Sequence, residues 1–155
     1  MTRSLEADLE FAARLADAAR AAILVHFRNL DGVDDKGPSA SRADIDPVTE
    51  ADRAAERAMR ALVEAERPDD GVIGEEYPEK PSASGWCWYF DPIDGTRAFV
   101  AGLPVWTTLI ALAGPDGVPV IGVIDQPVVG ERYIGWRRPP RHRRRQPTHP
   151  RFGLQ

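Results

Sequence analysis

The spacing of apolar residues changes character once along this chain, near Pro68, and that change limits the folds open to it. Before it, Leu5, Leu9, Ala12, Ala16, Ala19, Ile23 and Phe27 recur at helical spacing, which predicts an amphipathic helix from about Ser4 to Phe27. A second helix is expected next, with Thr49 and Asp52 in capping-box positions and an apolar face of Ala51, Ala54, Ala58, Leu62 and Ala65. Beyond Pro68 the apolar runs are short. Val72-Ile73, Trp86 to Phe90 (ending at Asp91), Thr107 to Leu112, Val118 to Ile124 and Arg132 to Trp136 read as strands. Pro115-Asp116-Gly117 supplies turn chemistry for a hairpin between two of them. Two helices followed by mainly antiparallel strands predict an α+β fold, with helices layered on a sheet.

A length of 155 residues suits one domain, expected over residues 1–136. No apolar run approaches the roughly 20 residues that span a bilayer. The start, Met1-Thr2-Arg3-Ser4, passes straight into the charged first helix, so neither a secretory signal nor a membrane partner is expected. Cys87 is the lone cysteine, which leaves no intramolecular disulfide and suits a reducing, cytoplasmic setting. Flanked by Trp86 and Trp88, it reads as a packing residue. Asp31 to Asp46, rich in Asp, Gly, Ser and Pro, reads as a mobile loop.

Charge is distributed unevenly. Residues 1–136 hold all 24 acidic residues and 13 of the 20 basic ones, a net charge of −11; residues 137–155 hold the other 7 and carry +7. An acidic body does not suit a nucleic-acid binder, and none is expected as a partner. It does suit a site that gathers carboxylates around cations. The stretch 137–155 is Arg/Pro-rich and shows no hydrophobic periodicity. A disordered basic tail is one reading of it, and an arm for nucleic acid or an acidic surface is another. A frame-shifted end is a third, and the abrupt change after a well-patterned strand favours that one.

The most informative local run is Asp91-Pro92-Ile93-Asp94-Gly95-Thr96. Two carboxylates three residues apart at a strand end converge if the chain turns between them. Pro92 fixes one dihedral, and Gly95 permits a close backbone approach or an unusual one. Such a turn can aim the Ile93 carbonyl inward, giving an all-oxygen donor set of the kind that selects hard cations such as Mg²⁺. A helix beginning near Gly95 and Thr96 would offer free amides to a phosphate, and the Thr96 hydroxyl could orient a water. Asp-Pro and Asp-Gly are also ordinary turn pairs. Two further acidic clusters weigh against that plainer reading: Gly74-Glu75-Glu76 after an apolar run, and Asp46 to Asp52 at a helix start, where the acids also suit the helix dipole.

In this order and spacing, Asp46-x-Val48-Thr49-x-x-Asp52, Gly74-Glu75-Glu76 and Trp88-x-x-Asp91-Pro92-Ile93-Asp94-Gly95-Thr96 resemble the inositol monophosphatase superfamily, over about residues 5–136. Arg97-Ala98-Phe99, Gly102-Leu103-Pro104, Trp106, Asp125-Gln126-Pro127 and Gly130-Glu131-Arg132 are more similar to its histidinol-phosphatase branch. The resemblance implies a layered α/β sandwich and hydrolysis of a small phosphorylated metabolite, L-histidinol phosphate before inositol phosphate. It implies two or three Mg²⁺ ions. Glu75, Asp91 and the Ile93 carbonyl would hold the first, Asp91 and Asp94 the second, and Glu75 through waters a third. Thr96, hydrogen-bonded to Asp52, would orient the water that Glu75 helps activate. Gly95 and Thr96 amides would receive phosphate, Lys36 would stand in a loop near the site, and a homodimer is compatible with the family.

The family pattern also includes a second half, with a Trp-Asp-x-Ala motif whose aspartate completes the second metal site. No Trp-Asp pair occurs in this chain. The expectation is therefore a truncated phosphatase half, or a metal-binding fragment without catalysis, with apolar sheet left uncovered.

Overall fold

The structure is a computed structural model that describes residues 3–29, 47–137 and 151–154, the segments 47–49 and 151–154 by their backbone alone. Helix α1 (Leu5–Leu24) starts at Ser4, whose hydroxyl accepts from the Ala7 N–H at 3.4 Å. It buries Phe11, Ala12, Leu15, Ala16, Ala19 and Ile23 along one side. Phe27, beyond the helix, packs with Phe99 and Trp106 at ring-centroid distances of 5.4 and 5.5 Å.

Helix α2 (Pro47–Glu66) begins two residues before Thr49, so Thr49 lies in its first turn and does not cap it. Proline is favoured there, because a first-turn N–H has no intrahelical partner to lose. The buried row is Ala51, Ala55, Met59 and Val63, not the expected Ala54, Ala58 and Ala65; Ala65 is exposed. Alanines crowd this helix and carry little information about its phase. The buried Asp52 and Glu56 rotate the inward stripe further.

Among the described residues six strands lie side by side in sequence order: β1 (Gly71–Ile73), β2 (Cys87–Asp94), β3 (Thr107–Ala113), β4 (Pro119–Gln126), β5 (Glu131–Trp136) and β6 (Arg151–Leu154). Only β1 and β2 run parallel; every other pair is antiparallel. The β3–β4 hairpin turns at Pro115-Asp116-Gly117 as expected, with Gly117 at φ 72°. No strand was expected beyond Trp136, yet the backbone of Arg151–Leu154 pairs with β5. An open antiparallel edge pairs through main-chain groups, so a segment without strand patterning can still add to it. Residues 30–46, including the expected loop with Lys36 and Asp46, lie outside the described residues, as do 138–150.

The helices cover one face of the sheet. Trp88, Phe90, Ile110, Leu112, Ile121, Val123 and Ile134 point into that layer and form the core with α1 and α2. On the other face Tyr89 is 40% exposed and Ile124 45% exposed, with Leu109 and Ala111 half-buried between them. The strand around Trp86 to Phe90 is thus one-sided; its aromatic composition hides the alternation. Cys87 is half-buried, and burial pushes its thiol upward. Among the described residues, no helix is long and apolar enough to cross a membrane.

Candidate metal centre

Strands β1 and β2 end at the same edge of the molecule because they are parallel. Ile73 pairs with Tyr89, so the residues two beyond each, Glu75 and Asp91, come side by side at that edge. Both line an open pocket of about 220 Å³, floored by Tyr89, Leu109 and Ala111. Glu75 is exposed, whereas the neighbouring Glu76 turns back to Arg53, 3.3 Å away. Of the two acids in this turn, Glu75 is the one that addresses the pocket.

Strand β2 does not stop at Asp91 as expected but continues to Asp94 with one irregularity. Asp91 pairs with Leu109 and Asp94 with Thr107, so three steps on β2 oppose two on β3. The extra residue is a β-bulge, and it has a chemical consequence. In a regular strand, residues three apart point to opposite faces. With one residue inserted, Asp91 and Asp94 share a face, while Pro92 and Ile93 are both buried. The buried Thr108 hydroxyl secures the bulge by donating to the Pro92 carbonyl at 2.8 Å.

Past Asp94 the chain reverses at Gly95, whose φ of 97° lies in the left-handed region. A Cβ there would meet Trp106 Cα and Cβ at 3.3 Å, so glycine is needed for conformation and for space. Helix α3 (Thr96–Val100) follows, anchored by the buried Phe99. Its first amides, near Gly95 and Thr96, face outward from the helix start. The Thr96 hydroxyl donates to the Ile93 carbonyl at 3.3 Å, where the resemblance implied Asp52 as partner. Asp52 itself is buried on α2.

The electrostatics centre on Asp91. Burial, then Glu75, then Asp94 push its carboxyl up to about 6, against a hydrogen bond from the Ile93 backbone that pulls the other way. Asp91 Oδ1 is buried and has no hydrogen-bond partner among the described residues. Buried polar oxygens are nearly always satisfied, so an orphan of this kind marks a position suited to a further partner. A hard cation fits the donors present: carboxylate oxygens of Asp91, Glu75 and Asp94, with a backbone carbonyl at Ile93. Among the described residues no three His, Cys, Asp or Glu side chains stand close enough together to hold a metal ion by themselves.

One participant had no sequence signal of its own. Glu56, one turn after Asp52, lies buried behind the Glu75 turn. An acid on a helix ordinarily reads as solvated.

Helices layered on one face of a bulged, mainly antiparallel sheet define an α+β domain, with Glu75, Asp91 and Asp94 at one end of its strands. The sequence matches the inositol monophosphatase family over residues 4–150. It is 45% identical over 126 residues to the histidinol-phosphatase of Mycobacterium tuberculosis (strain ATCC 25618 / H37Rv), covering 81% of this chain and 46% of that one. It is 44% identical over 128 residues to the histidinol-phosphatase of Chlorobaculum parvum (strain DSM 263 / NCIMB 8327), with the same coverages. In structure it is similar to an inositol monophosphatase from Zymomonas mobilis, with a TM-score of 0.68, 45% identity, and coverage of 86% of this chain and 49% of that one. The chain belongs to the inositol monophosphatase family, whose members are phosphoric monoester hydrolases. It spans about half the length of the curated relatives it matches.

Proposed function

We propose that this chain carries the metal-binding half of a Mg²⁺-dependent phosphatase for a small phosphomonoester, with L-histidinol phosphate, cleaved to L-histidinol and phosphate, as the substrate. The observation that carries the metal assignment is the buried, unpartnered Oδ1 of Asp91, set between Glu75 and Asp94. The likeness to two histidinol-phosphatases supports the substrate, and the likeness to an inositol monophosphatase keeps inositol phosphate as the second choice.

Glu75, Asp91, Asp94 and the Ile93 carbonyl would hold the cations. Bound there, divalent ions supply charge neutralisation for the phosphoryl group and acidify water near neutral pH. Asp91, on the shared face of the bulge, would be held in common by two ions. Glu75 would take a proton from the attacking water, and the Thr96 hydroxyl would orient that water. The amides at Gly95 and Thr96 would receive phosphate oxygens. No covalent nucleophile is needed, since phosphoryl transfer rests mainly on positioning and charge.

A chain about half the length of its relatives motivates a second reading, a metal-binding fragment without turnover. The two readings agree on cation binding and part at catalysis. For these 155 residues by themselves we expect Mg²⁺ binding and little or no phosphate release. Rapid Mg²⁺-dependent release from histidinol phosphate would overturn the second half of that statement. A version extended to the relatives' full length should hydrolyse histidinol phosphate fastest in a panel with inositol phosphates. Equal or faster inositol phosphate hydrolysis would overturn the substrate assignment.

A further inference from the structure

We propose that Glu56 is a positioning residue for the cation site, holding the turn that carries Glu75, and that cation affinity depends on it. This rests on the reading of Glu75 and Asp91 as metal ligands. The Glu56 carboxylate is 0% exposed and contacts the turn on both sides of Glu75. After it, Glu56 Oε2 accepts the Glu76 N–H at 2.8 Å. Before it, Gly74 packs so closely that a Cβ at that position would fall onto the Glu56 carboxylate. Glu75 is therefore fixed between two backbone points set by one buried side chain.

Arg60, one turn further along α2, completes the clamp. Its Nε donates to Glu56 Oε1 at 2.7 Å and its Nη2 to the Tyr77 carbonyl at 3.2 Å. Replacing a buried ion pair by apolar groups often leaves stability unchanged or improved, so packing alone does not explain this pair. A ligating carboxylate, by contrast, must be held close to its working geometry, and groups behind a metal ligand commonly govern affinity.

The test is titration of the whole chain with Mn²⁺, followed by electron paramagnetic resonance, with thermal unfolding measured alongside. Asp91→Asn should lose Mn²⁺ binding; if it binds as the parent does, the ligand reading fails and this proposal with it. Given that loss, Glu56→Ala should weaken Mn²⁺ binding by about 10–100-fold. Glu56→Gln keeps a carbonyl oxygen for the Glu76 N–H and should restore most of the affinity. Gly74→Ala probes the same contact from the turn and covers the case in which Glu56→Ala does not fold. It should weaken binding comparably when titrated well below its own Tm, where the variant is folded. Parent-like Mn²⁺ affinity in folded Glu56→Ala or in Gly74→Ala, while Asp91→Asn loses binding, overturns the proposal.

Discussion

Asp125 on β4 and Arg132 on β5 stand directly opposite each other in the sheet, with Arg132 Nε 2.7 Å from Asp125 Oδ1. Asp125 is 0% exposed. Arg20 reaches down from α1 to the same carboxylate, at 3.0 and 2.7 Å, while Arg132 continues to Asp17 and to the Ala13 carbonyl on α1. Burial alone would lower the Arg132 pKa, but hydrogen bonds to Asp17 and Asp125 raise it. One carboxylate thereby ties the helix layer to the sheet.

Asp125→Ala leaves two guanidinium groups facing an apolar gap. The expected loss is about 3–5 kcal/mol, the range for breaking a buried pair from one side. Urea denaturation of the metal-free chain reads it directly. A loss under about 1 kcal/mol would show that the clamp contributes register and little stability.

Asp70 supplies a prediction about acid. Burial raises its pKa, but hydrogen bonds from Arg3, Ser84 and Trp88 outweigh that and hold it below the ordinary 3.8. A carboxyl depressed in the folded state stabilises above its unfolded pKa, and that contribution is lost as pH falls through the folded value. Asp70→Asn should therefore be less stable than the parent at neutral pH, the two converging only below about pH 3.8. Parallel stability curves down to strong acid would remove Asp70 from the acid response.

The elements of this fold were largely legible in its sequence, because helical and strand periodicities do not overlap here. The β3–β4 hairpin was legible from its turn residues. The phase of α2 was not: alanine at positions 51, 54, 55, 58, 61 and 65 fits several faces equally well. At the site, Asp91, Asp94 and Glu75 stood out as acids at strand ends. The bulge that sets Asp91 and Asp94 on one face depends on pairing with β3, through Leu109 and Thr107, 18 and 13 residues further along. Glu56 and Asp125 were invisible as structural residues for a similar reason. Their burial is decided by Glu76 and Arg20, at separations of 20 and 105 residues.

Gly95 bears on both backbone and site. Gly95→Ala places a side chain at φ 97° and against Trp106 at 3.3 Å. Strain of this kind costs on the order of 1–3 kcal/mol. Relief would come by moving the start of α3, which carries Thr96. The variant should lose stability in urea and bind Mg²⁺ more weakly, both measured by calorimetry and denaturation. Unchanged values for both would show that the reversal tolerates a Cβ.

Asp91 should respond in opposite directions to removal and addition of cations. Its carboxyl, ordinarily near 3.8, lies at about 6 in the folded chain, raised by burial and by Glu75 and Asp94. Between those values the folded state binds more protons than the unfolded one, so stability falls as pH rises through this window. Above about pH 6 the folded chain bears the full cost of an ionised Asp91. Asp91→Asn removes that charge, so in EDTA at pH 8 it should be more stable than the parent, with a flatter profile between pH 4 and 6. With Mg²⁺ present the order should reverse, because the cation stabilises only a chain that binds it. Binding must also displace the proton, so parent affinity should drop about tenfold per unit as pH falls below 6. Urea midpoints of both proteins, with EDTA and with Mg²⁺, across pH 4–8, test the set together. A parent less stable than Asp91→Asn in both media would mean that Asp91 carries its unfavourable charge for some purpose other than a cation.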